Sequence, residues 1–374
     1  MASEELIELE SLLQPIADDN PAGIDIREDP SPTSPYYSIK DARNAARAAE
    51  RNNMFDGDSS EADEQWRKII ELAPQILKEH AKDLEIASWY TEALIRRHGY
   101  QGLRDGFKLI HGLIDTYWDN LYPLPDEDGL ETRVASLTGL NGEGAEGVLI
   151  APIRNVEITE GYEPGPFSYW RYQQALEVEK ILDEETKNDK SSKLGFSHDD
   201  IDKAVVDSSE TFFLNIRDDI SDSISTFREI SRLLDEYCGL NDAPPTSNIL
   251  NILEEILGAI NHIGKYKIPA EDIANDSAND ESSESLNDTD NASANQATAV
   301  SGPVKNRDEA LKKLIEISEF FRKTEPHSPI PYILERAVKW GDMPLDQLIS
   351  ELIPDSSARD LYSSLTGVKT EDES

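Results

Sequence analysis

The segment NRDEALKKLIEISEFFRK at Asn306–Lys323 and the proline-rich TEPHSPIPY at 324–332 decide the fold of the C-terminal part of the chain. Apolar residues recur with a helical period along the first stretch, which predicts an amphipathic helix. Pro326, Pro329 and Pro331 lack backbone N–H groups and restrict the residues before them, so they end this helix. The pattern therefore predicts two helices separated by a break.

The second of these helices is predicted from Ile330 to about Trp340, and a third after Met343-Pro344. So short a segment has too little mass to bury its apolar residues alone. We therefore expect it to need a partner, most simply further copies of the chain. Clustered aromatic residues beside an arginine are typical of interface centres. The residues expected at this oligomer interface are Phe320, Phe321, Tyr332, Ile333, Arg336 and Trp340.

The charge balance limits the classes of partner. The 374 residues include 36 lysines and arginines and 75 aspartates and glutamates, for a net charge of −39. This excess repels phosphate backbones and anionic lipids, so nucleic acid is not expected as a partner. No apolar run approaches the ~18 residues that a membrane span needs, and the acidic start MASEELIELESLL is unlike a signal peptide. We expect a cytoplasmic protein with no direct membrane insertion.

Helical patterns dominate the chain, and four regions follow from them. The predicted fold is mainly α, with at most a short strand pair, for which VLIAPI at Val148–Ile153 is the candidate. Residues 269–304 contain eight acids and no lysine or arginine, a composition typical of a disordered linker. The predicted regions are a helical domain at 1–165, a middle helical domain at 166–268, this linker at 269–304, and a C-terminal module at 305–374.

The middle region contains the longest apolar repeat. A single helix is predicted over Ser197–Tyr237, and a returning helix at Ile249–Ile263 would make a long antiparallel pair. Five apolar residues recur there every seven positions, which is a coiled-coil-like pattern: Val206, Phe213, Ile220, Phe227 and Leu234. Large aromatic residues elsewhere are expected to anchor the cores of helical hairpins, namely Trp66, Trp89, Trp118 and Trp170.

Residue types that carry chemistry show no convincing pattern. Gly142-Glu-Gly-Ala-Glu-Gly147 matches a dinucleotide-binding motif by letter, but the strand-like segment follows it instead of preceding it, so a turn is expected. The six histidines have no metal-ligand spacing, and His198 is expected to open a helix capped by Ser197. Cys238 is the only cysteine and has no histidine nearby in sequence. No catalytic, cofactor-binding or metal residues and no cofactor are predicted.

Two blocks of sequence resemble a known family. The first is LLQPIADDNPAGIDIR at Leu12–Arg27 with LIAPIR at Leu149–Arg154. The second is FRKTEPHSPIPY at Phe321–Tyr332 with LERAVKWG at Leu334–Gly341. Both resemble the TssA (ImpA-related) proteins of bacterial type VI secretion systems, of the type with a short C-terminus. The residues taken as the N-terminal family motif are Pro21, Gly23, Asp25, Arg27 and Pro152.

This resemblance implies a structural assembly protein and not an enzyme. Such proteins form homo-oligomeric rings through the C-terminal region and promote assembly of the baseplate, the contractile sheath and the inner tube. The implied partners are therefore further copies of the chain and the baseplate, sheath and inner-tube proteins. The implied location is the cytoplasmic side of the secretion apparatus.

Two other functions are compatible with the residues alone. One is a monomeric helical adaptor that binds a client through the apolar repeat of the middle helices. The other is a hydrolase with a cleft between the first two domains, which would need a pocket of convergent polar groups with shifted pKa values.

Overall fold

A computed structural model describes residues 2–56, 59–127, 129–161, 163, 165–239, 242–268, 307–324, 329–343 and 348. Within these ranges the fold is mainly α, as predicted, with isolated β-bridges and no extended strand. The chain forms two compact units, Met1–Ser285 and Leu286–Ser374. The helices of the N-terminal unit are α1 Leu9–Leu12, α2 Pro35–Asp56, α3 Ser60–Glu79, α4 Leu84–Tyr117, α5 Glu131–Asn141, α6 Ile150–Asn155, α7 Tyr169–Glu179, α8 Glu184–Leu194, α9 His198–Asp207, α10 Glu210–Cys238 and α11 Ser247–Ile263, and those described in the C-terminal unit are α12 Arg307–Thr324 and α13 Ile330–Asp342.

Helix α4 is the centre of the N-terminal unit. Its first turn is capped by Asp83, whose side chain accepts hydrogen bonds from the backbone N–H groups of Glu85 and Ile86. The helix bends at Gly99, where φ is +59°, a left-handed conformation that favours glycine. Helices α2, α3, α5 and α10 all pack against this element or its neighbours, so α4 is buried along most of its length.

The middle region, residues 166–268, packs against α4 as well as against its own helices. Helix α10 makes its most extensive contact with α4, and Phe107 and Phe227 meet there with ring centroids 4.6 Å apart. Helix α11 returns against α10, as the antiparallel pair predicted. Residues on both sides of position 165 therefore share one hydrophobic core.

The prediction of one helix over Ser197–Tyr237 is wrong. The chain breaks between α9 and α10, where Ser208 is extended and the Ser209 side chain accepts from the N–H of Phe212, so a new helix begins. Four members of the seven-residue repeat are buried, but Val206 lies on α9 and is 69% exposed. The four buried members of the repeat therefore belong to the hydrophobic core of this chain and not to a continuous coiled coil.

The short strand predicted at Val148–Ile153 is also wrong, because α6 occupies Ile150–Asn155. Pro152 lies in the first turn of this helix, where a missing N–H removes no intrahelical hydrogen bond. Apolar residues on a six-residue buried segment do not by themselves separate a helix turn from a strand.

The tryptophan predictions hold for three of four residues. Trp66 and Trp89 are buried, and Trp118 stacks on Tyr237 with centroids 4.8 Å apart. Trp170, however, is 46% exposed on α7, so its assignment as a core anchor is wrong. The helix start at His198 is confirmed, with a capping box between Ser197 and Asp200.

The C-terminal unit contains a helical hairpin of α12 and α13, as predicted. Helix α13 continues past Gly341 to Asp342, a difference of one residue or two that is ordinary for helix ends. The third helix predicted after Met343-Pro344 and the linker predicted at 269–304 lie outside the described residues.

Candidate functional site

The N-terminal motif begins with a close backbone contact. Gly23 has φ of +78° and pairs with Ala81, and a Cβ atom at this position would lie 2.0 Å from the carbonyl oxygen of His80. Ile24 donates from its N–H to the His80 oxygen at 3.0 Å, and Lys82 donates to Ala22 at 2.8 Å. Only glycine allows this approach, so the loop before α2 is fixed against the end of α3.

Arg27 ties the same loop to the beginning of α4. Its guanidinium donates two hydrogen bonds to the carboxylate of Asp83, at 2.7 and 3.2 Å, and one to Glu85 at 2.7 Å. Asp25 also accepts from Arg27, at 3.2 Å, and the ring of Tyr36 lies 5.0 Å from the guanidinium carbon. Asp83 is fully buried, so the ion pair compensates a charge that would otherwise be costly to bury.

These contacts raise the pKa of Tyr36 to about 12, chiefly because the phenol is buried and secondly because Glu85 is close. The pKa of Arg27 is raised by Asp83 and Glu85, which outweigh the opposing effect of burial. The motif is therefore a network that holds the start of α4.

The structure brings together three of the five motif residues. Gly23, Asp25 and Arg27 lie in this network, whereas Pro21 contributes a carbonyl that accepts from the N–H of Ile16 within the loop. Pro152 lies apart from them on α6. Their roles as family determinants stay predictions.

A fully buried lysine lies next to this network. The ammonium group of Lys82 donates to the carbonyl oxygens of Leu12 and Leu77, each at 2.7 Å, and lies 5.7 Å from the ring centroid of Tyr117. Burial lowers the pKa of Lys82 to about 8. Lys82 was not singled out from the sequence, because the residues around it in the chain give no sign that its side chain is buried.

A second buried ionic cluster joins the N-terminal segment to the middle region. Arg104 donates from Nε to Asp105 at 2.8 Å and from Nη1 to Asp219 at 2.6 Å. Its Nη1 and Nη2 atoms also donate to the carbonyl oxygens of Ser3 and Glu4, at 2.6 and 2.9 Å. All three ionic side chains are at most 2% exposed. The cluster connects residues 115 positions apart, so no local pattern reveals it.

The hairpin of the C-terminal unit leaves several large apolar residues exposed. Pairing between its helices uses Ser318, which is fully buried and donates to the carbonyl oxygen of Pro331 at 3.0 Å. Arg322 pairs with Glu335 across the hairpin. Five large residues remain between 38% and 65% exposed, and we call them the hairpin surface: Ile315, Ile317, Ile330, Tyr332 and Ile333.

The predicted interface residues differ in their exposure on the hairpin. Tyr332 and Ile333 are 65% and 60% exposed and belong to the hairpin surface, whereas Phe321 is half-buried. Trp340 is also half-buried; the Arg336 guanidinium lies 5.1 Å from its ring, and its Nε1 atom is buried without an acceptor among the described residues. The side chain of Phe320 lies outside the described residues.

Among the described residues, no group of histidine, cysteine and carboxylate side chains could hold a metal ion. Burial raises the pKa of the Cys238 thiol, which disfavours the reactive thiolate. Gly142 and Gly144 have positive φ values and form the turn predicted between α5 and α6. None of the helices in the described ranges is long and apolar enough to cross a membrane.

The same N-terminal region matches a known family. Residues 13–142, which include Gly23, Arg27 and the buried arginine of α4, match the family described as ImpA, N-terminal, type VI secretion system. This region is therefore similar to the ImpA N-terminal family. The resemblance to TssA (ImpA-related) proteins inferred from the sequence is thereby confirmed.

Two relatives extend the match beyond the ImpA N-terminal region. The type VI secretion system component TssA1 of Pseudomonas aeruginosa is 23% identical over 376 residues, which cover 98% of this chain and 100% of that protein. The solved N-terminal domain of the TssA component of the type VI secretion system from Burkholderia cenocepacia, including its conserved ImpA_N region, is 25% identical. It covers 71% of this chain and 96% of that domain, with a TM-score of 0.58.

Proposed function

We propose that this chain is a structural component of a type VI secretion apparatus that forms a ring by self-association and promotes assembly of the baseplate, sheath and inner tube. The family match and the relatives' descriptions support membership of that system. They also favour a structural role over the hydrolase. In this proposal the chain works on the cytoplasmic side of the apparatus, and its partners are the baseplate, sheath and inner-tube proteins.

The observation that carries self-association is the hairpin surface. Two helices of 18 and 13 residues bury Ser318 and Pro331 but leave three isoleucines and a tyrosine more than 40% exposed. A second copy of the same surface can cover these residues, and the exposed ion pair Arg322–Glu335 is already satisfied within the hairpin. Tyrosine and arginine beside aliphatic residues are typical of such contacts.

The adaptor alternative is not favoured. Its client would bind the apolar repeat of the middle helices, but Phe213, Ile220, Phe227 and Leu234 are at most 2% exposed. They are covered by the same chain, mainly by α4. Their exposure would cost roughly 1.5–3 kcal/mol for each side chain, so a client does not have access to this surface.

Light scattering on the full-length protein tests self-association. We expect a mass several times 41.8 kDa at tens of micromolar, and a ring in negative-stain images. The double variant Tyr332→Ser, Ile333→Ser removes the two most exposed residues of the hairpin surface and should lower the mass toward that of a monomer.

The matched control is Leu182→Ser with Tyr266→Ser. These residues are 98% and 85% exposed in the N-terminal unit, and the change removes the same kinds of side chain. This control should assemble like the wild type. A monomeric wild type, or equal assembly of both double variants, would contradict the proposal.

A further inference from the structure

A groove of about 1050 Å³ lies on the N-terminal unit where α2, α4, α6 and α10 meet. The bend of α4 at Gly99 forms part of it, and a Cβ there would lie 2.9 Å from the side chain of Val156. We call it the arginine groove, and the residues that define it are Arg47, Arg51, Arg96, Arg97, Phe212 and Ile216. Such a concentration of arginine is unexpected in a chain with a net charge of −39.

Three arginines at or beside the groove have carboxylate partners. Arg43 donates from Nε to the fully buried Glu92 at 2.9 Å. Arg96 donates to Glu50 at 2.6 and 3.2 Å and lies 4.2 Å from the ring of Trp66. Arg97 lies 3.6 Å from Asp63. These pairs fix the wall of the groove and neutralise only their own charges.

Arg47 and Arg51 are different. Both lie on the face of α2 that carries Arg43, because they follow it at intervals of four residues. Arg47 is half-buried, Arg51 is exposed, and neither makes a hydrogen bond or ion pair with any of the described residues. Three of the five arginines at or beside the groove therefore have a carboxylate partner, whereas Arg47 and Arg51 have none among the described residues.

The direction of the pKa shift of Arg47 agrees with its lack of a carboxylate partner among the described residues. Its pKa is lowered, first by burial and then by the nearby Arg43, Arg96 and Arg51, while Glu92 acts in the opposite direction. The other carboxylates that line the groove do not supply partners, because Asp219 pairs with Arg104 and Glu146 with Arg154. Glu157 is exposed at the rim.

We propose that the arginine groove binds a short acidic segment of a partner protein, with its carboxylates on Arg47 and Arg51 and an apolar side chain on Phe212 and Ile216. The arginine fork matches a carboxylate in planar, bidentate geometry. A volume of about 1050 Å³ is far larger than a single small anion and is sufficient for several residues of extended peptide.

The length of the ligand follows from the charge of the whole chain. At physiological salt, charges are screened over ~8 Å, so a short segment in the groove experiences mainly the local arginines. A long polyanion extends beyond the groove onto the acidic remainder of the surface and is repelled. An acidic peptide is therefore favoured over nucleic acid.

Fluorescence anisotropy on the full-length protein tests this site. The probe is a labelled peptide of three Glu-Leu-Asp-Ser repeats, compared with peptides of Gln-Leu-Asn-Ser and of Glu-Ser-Asp-Ser. We expect the first to bind most tightly, with affinity falling as salt is raised. The variant Arg47→Gln, Arg51→Gln should weaken it about tenfold or more, because both charge-assisted contacts are lost.

The control is Arg67→Gln with Arg232→Gln, which changes the net charge equally at exposed arginines on other surfaces. This control should bind the acidic peptide within about twofold of the wild type. The groove variant should also have an unchanged or higher melting temperature, because two like charges near Arg96 are removed. Equal binding by both variants, equal binding of the uncharged peptide, tighter binding of a single-stranded oligonucleotide, or a lowered melting temperature would each overturn the proposal.

Discussion

Helices α10 and α13 both have an apolar face, but among the described residues only that of α10 is covered by its own chain. On α10, Phe213, Ile220 and Phe227 are at most 2% exposed, because α4 and α11 pack against them. On α13, Tyr332 and Ile333 are 65% and 60% exposed, and α12 is the helix that packs against it in the described part of this unit. The difference shows that apolar periodicity indicates a surface to be covered, whereas the number of neighbouring elements decides whether the chain itself covers it.

The polar contacts of the two regions differ in the same way. The N-terminal unit buries Arg104, Asp105 and Asp219 together, each at most 2% exposed. The hairpin instead joins Arg322 to Glu335, which are 52% and 43% exposed. Buried ion pairs are costly to break, whereas exposed pairs contribute at most ~1 kcal/mol. Buried ion pairs therefore contribute to the fold of the N-terminal unit, whereas the ion pair of the hairpin lies on its surface and contributes little.

Arg104→Met should produce the largest loss of stability. It leaves two buried carboxylates without their guanidinium, so the free energy of unfolding should fall by about 3–5 kcal/mol. Chemical denaturation followed by tryptophan fluorescence measures this, since four of the five tryptophans lie in the N-terminal unit. Arg232→Met, at a 58% exposed arginine, is the control and should cost less than ~1 kcal/mol. Similar losses in both variants would show that the buried cluster contributes no more to the free energy of unfolding than an exposed ion pair.

Ile220→Ala should be nearly as harmful. This side chain is fully buried on α10, and its truncation removes apolar contacts and leaves a cavity. The expected loss is about 2–5 kcal/mol in the same denaturation experiment. A loss below ~1 kcal/mol would mean that the interface of α4 and α10 repacks freely, which would weaken the contrast with α13.

Lys82→Met should change how stability depends on pH. The folded-state pKa of Lys82 is about 8, below its ordinary value of 10.5, so the unfolded chain holds more protons between these values. Stability of the wild type should therefore rise with pH in this window, by roughly 1–2 kcal/mol between pH 7 and 9.5 relative to the variant. The wild type and the variant are compared by urea denaturation at each pH. Parallel pH profiles would argue against a lowered pKa.

Ile333→Ala should have the smallest effect on folding. The side chain is 60% exposed, so its truncation should change the stability of the unassembled chain by less than ~0.5 kcal/mol. Circular dichroism during thermal unfolding at low protein concentration measures this, and Ile220→Ala is the matched buried control. A loss as large as that of Ile220→Ala would mean that the chain itself covers the hairpin surface.

Much of the fold followed from local patterns. The positions of α12 and α13 and the helix start capped by Ser197 were predicted from spacing and from capping residues, which act over one or two turns. The errors arose where local signals compete. The seven-residue repeat continues across the break at Ser208, and the segment that forms α6 is too short for its period to be read.

The candidate sites also differ in whether a local sequence pattern reveals them. Tyr332 and Ile333 could be selected from sequence, because the segment contains more apolar residues than it can bury. The arginines at 43, 47 and 51 show a regular interval, but nothing local shows which of them meets a carboxylate. Glu92 and Glu50, which are used by Arg43 and Arg96, are assigned only when α2 packs against α4.

The sequence alone determined the helical class, the acidic surface, the excess of apolar residues in the hairpin and the resemblance to ImpA-related proteins. These properties depend on composition, on periods of a few residues and on contiguous motifs. Only the tertiary structure decided that the repeat on α10 is covered by α4, that Arg104 joins Asp105 to Asp219, and that Arg47 lacks a partner among the described residues. Each of these depends on contacts between distant segments, which a local period cannot specify.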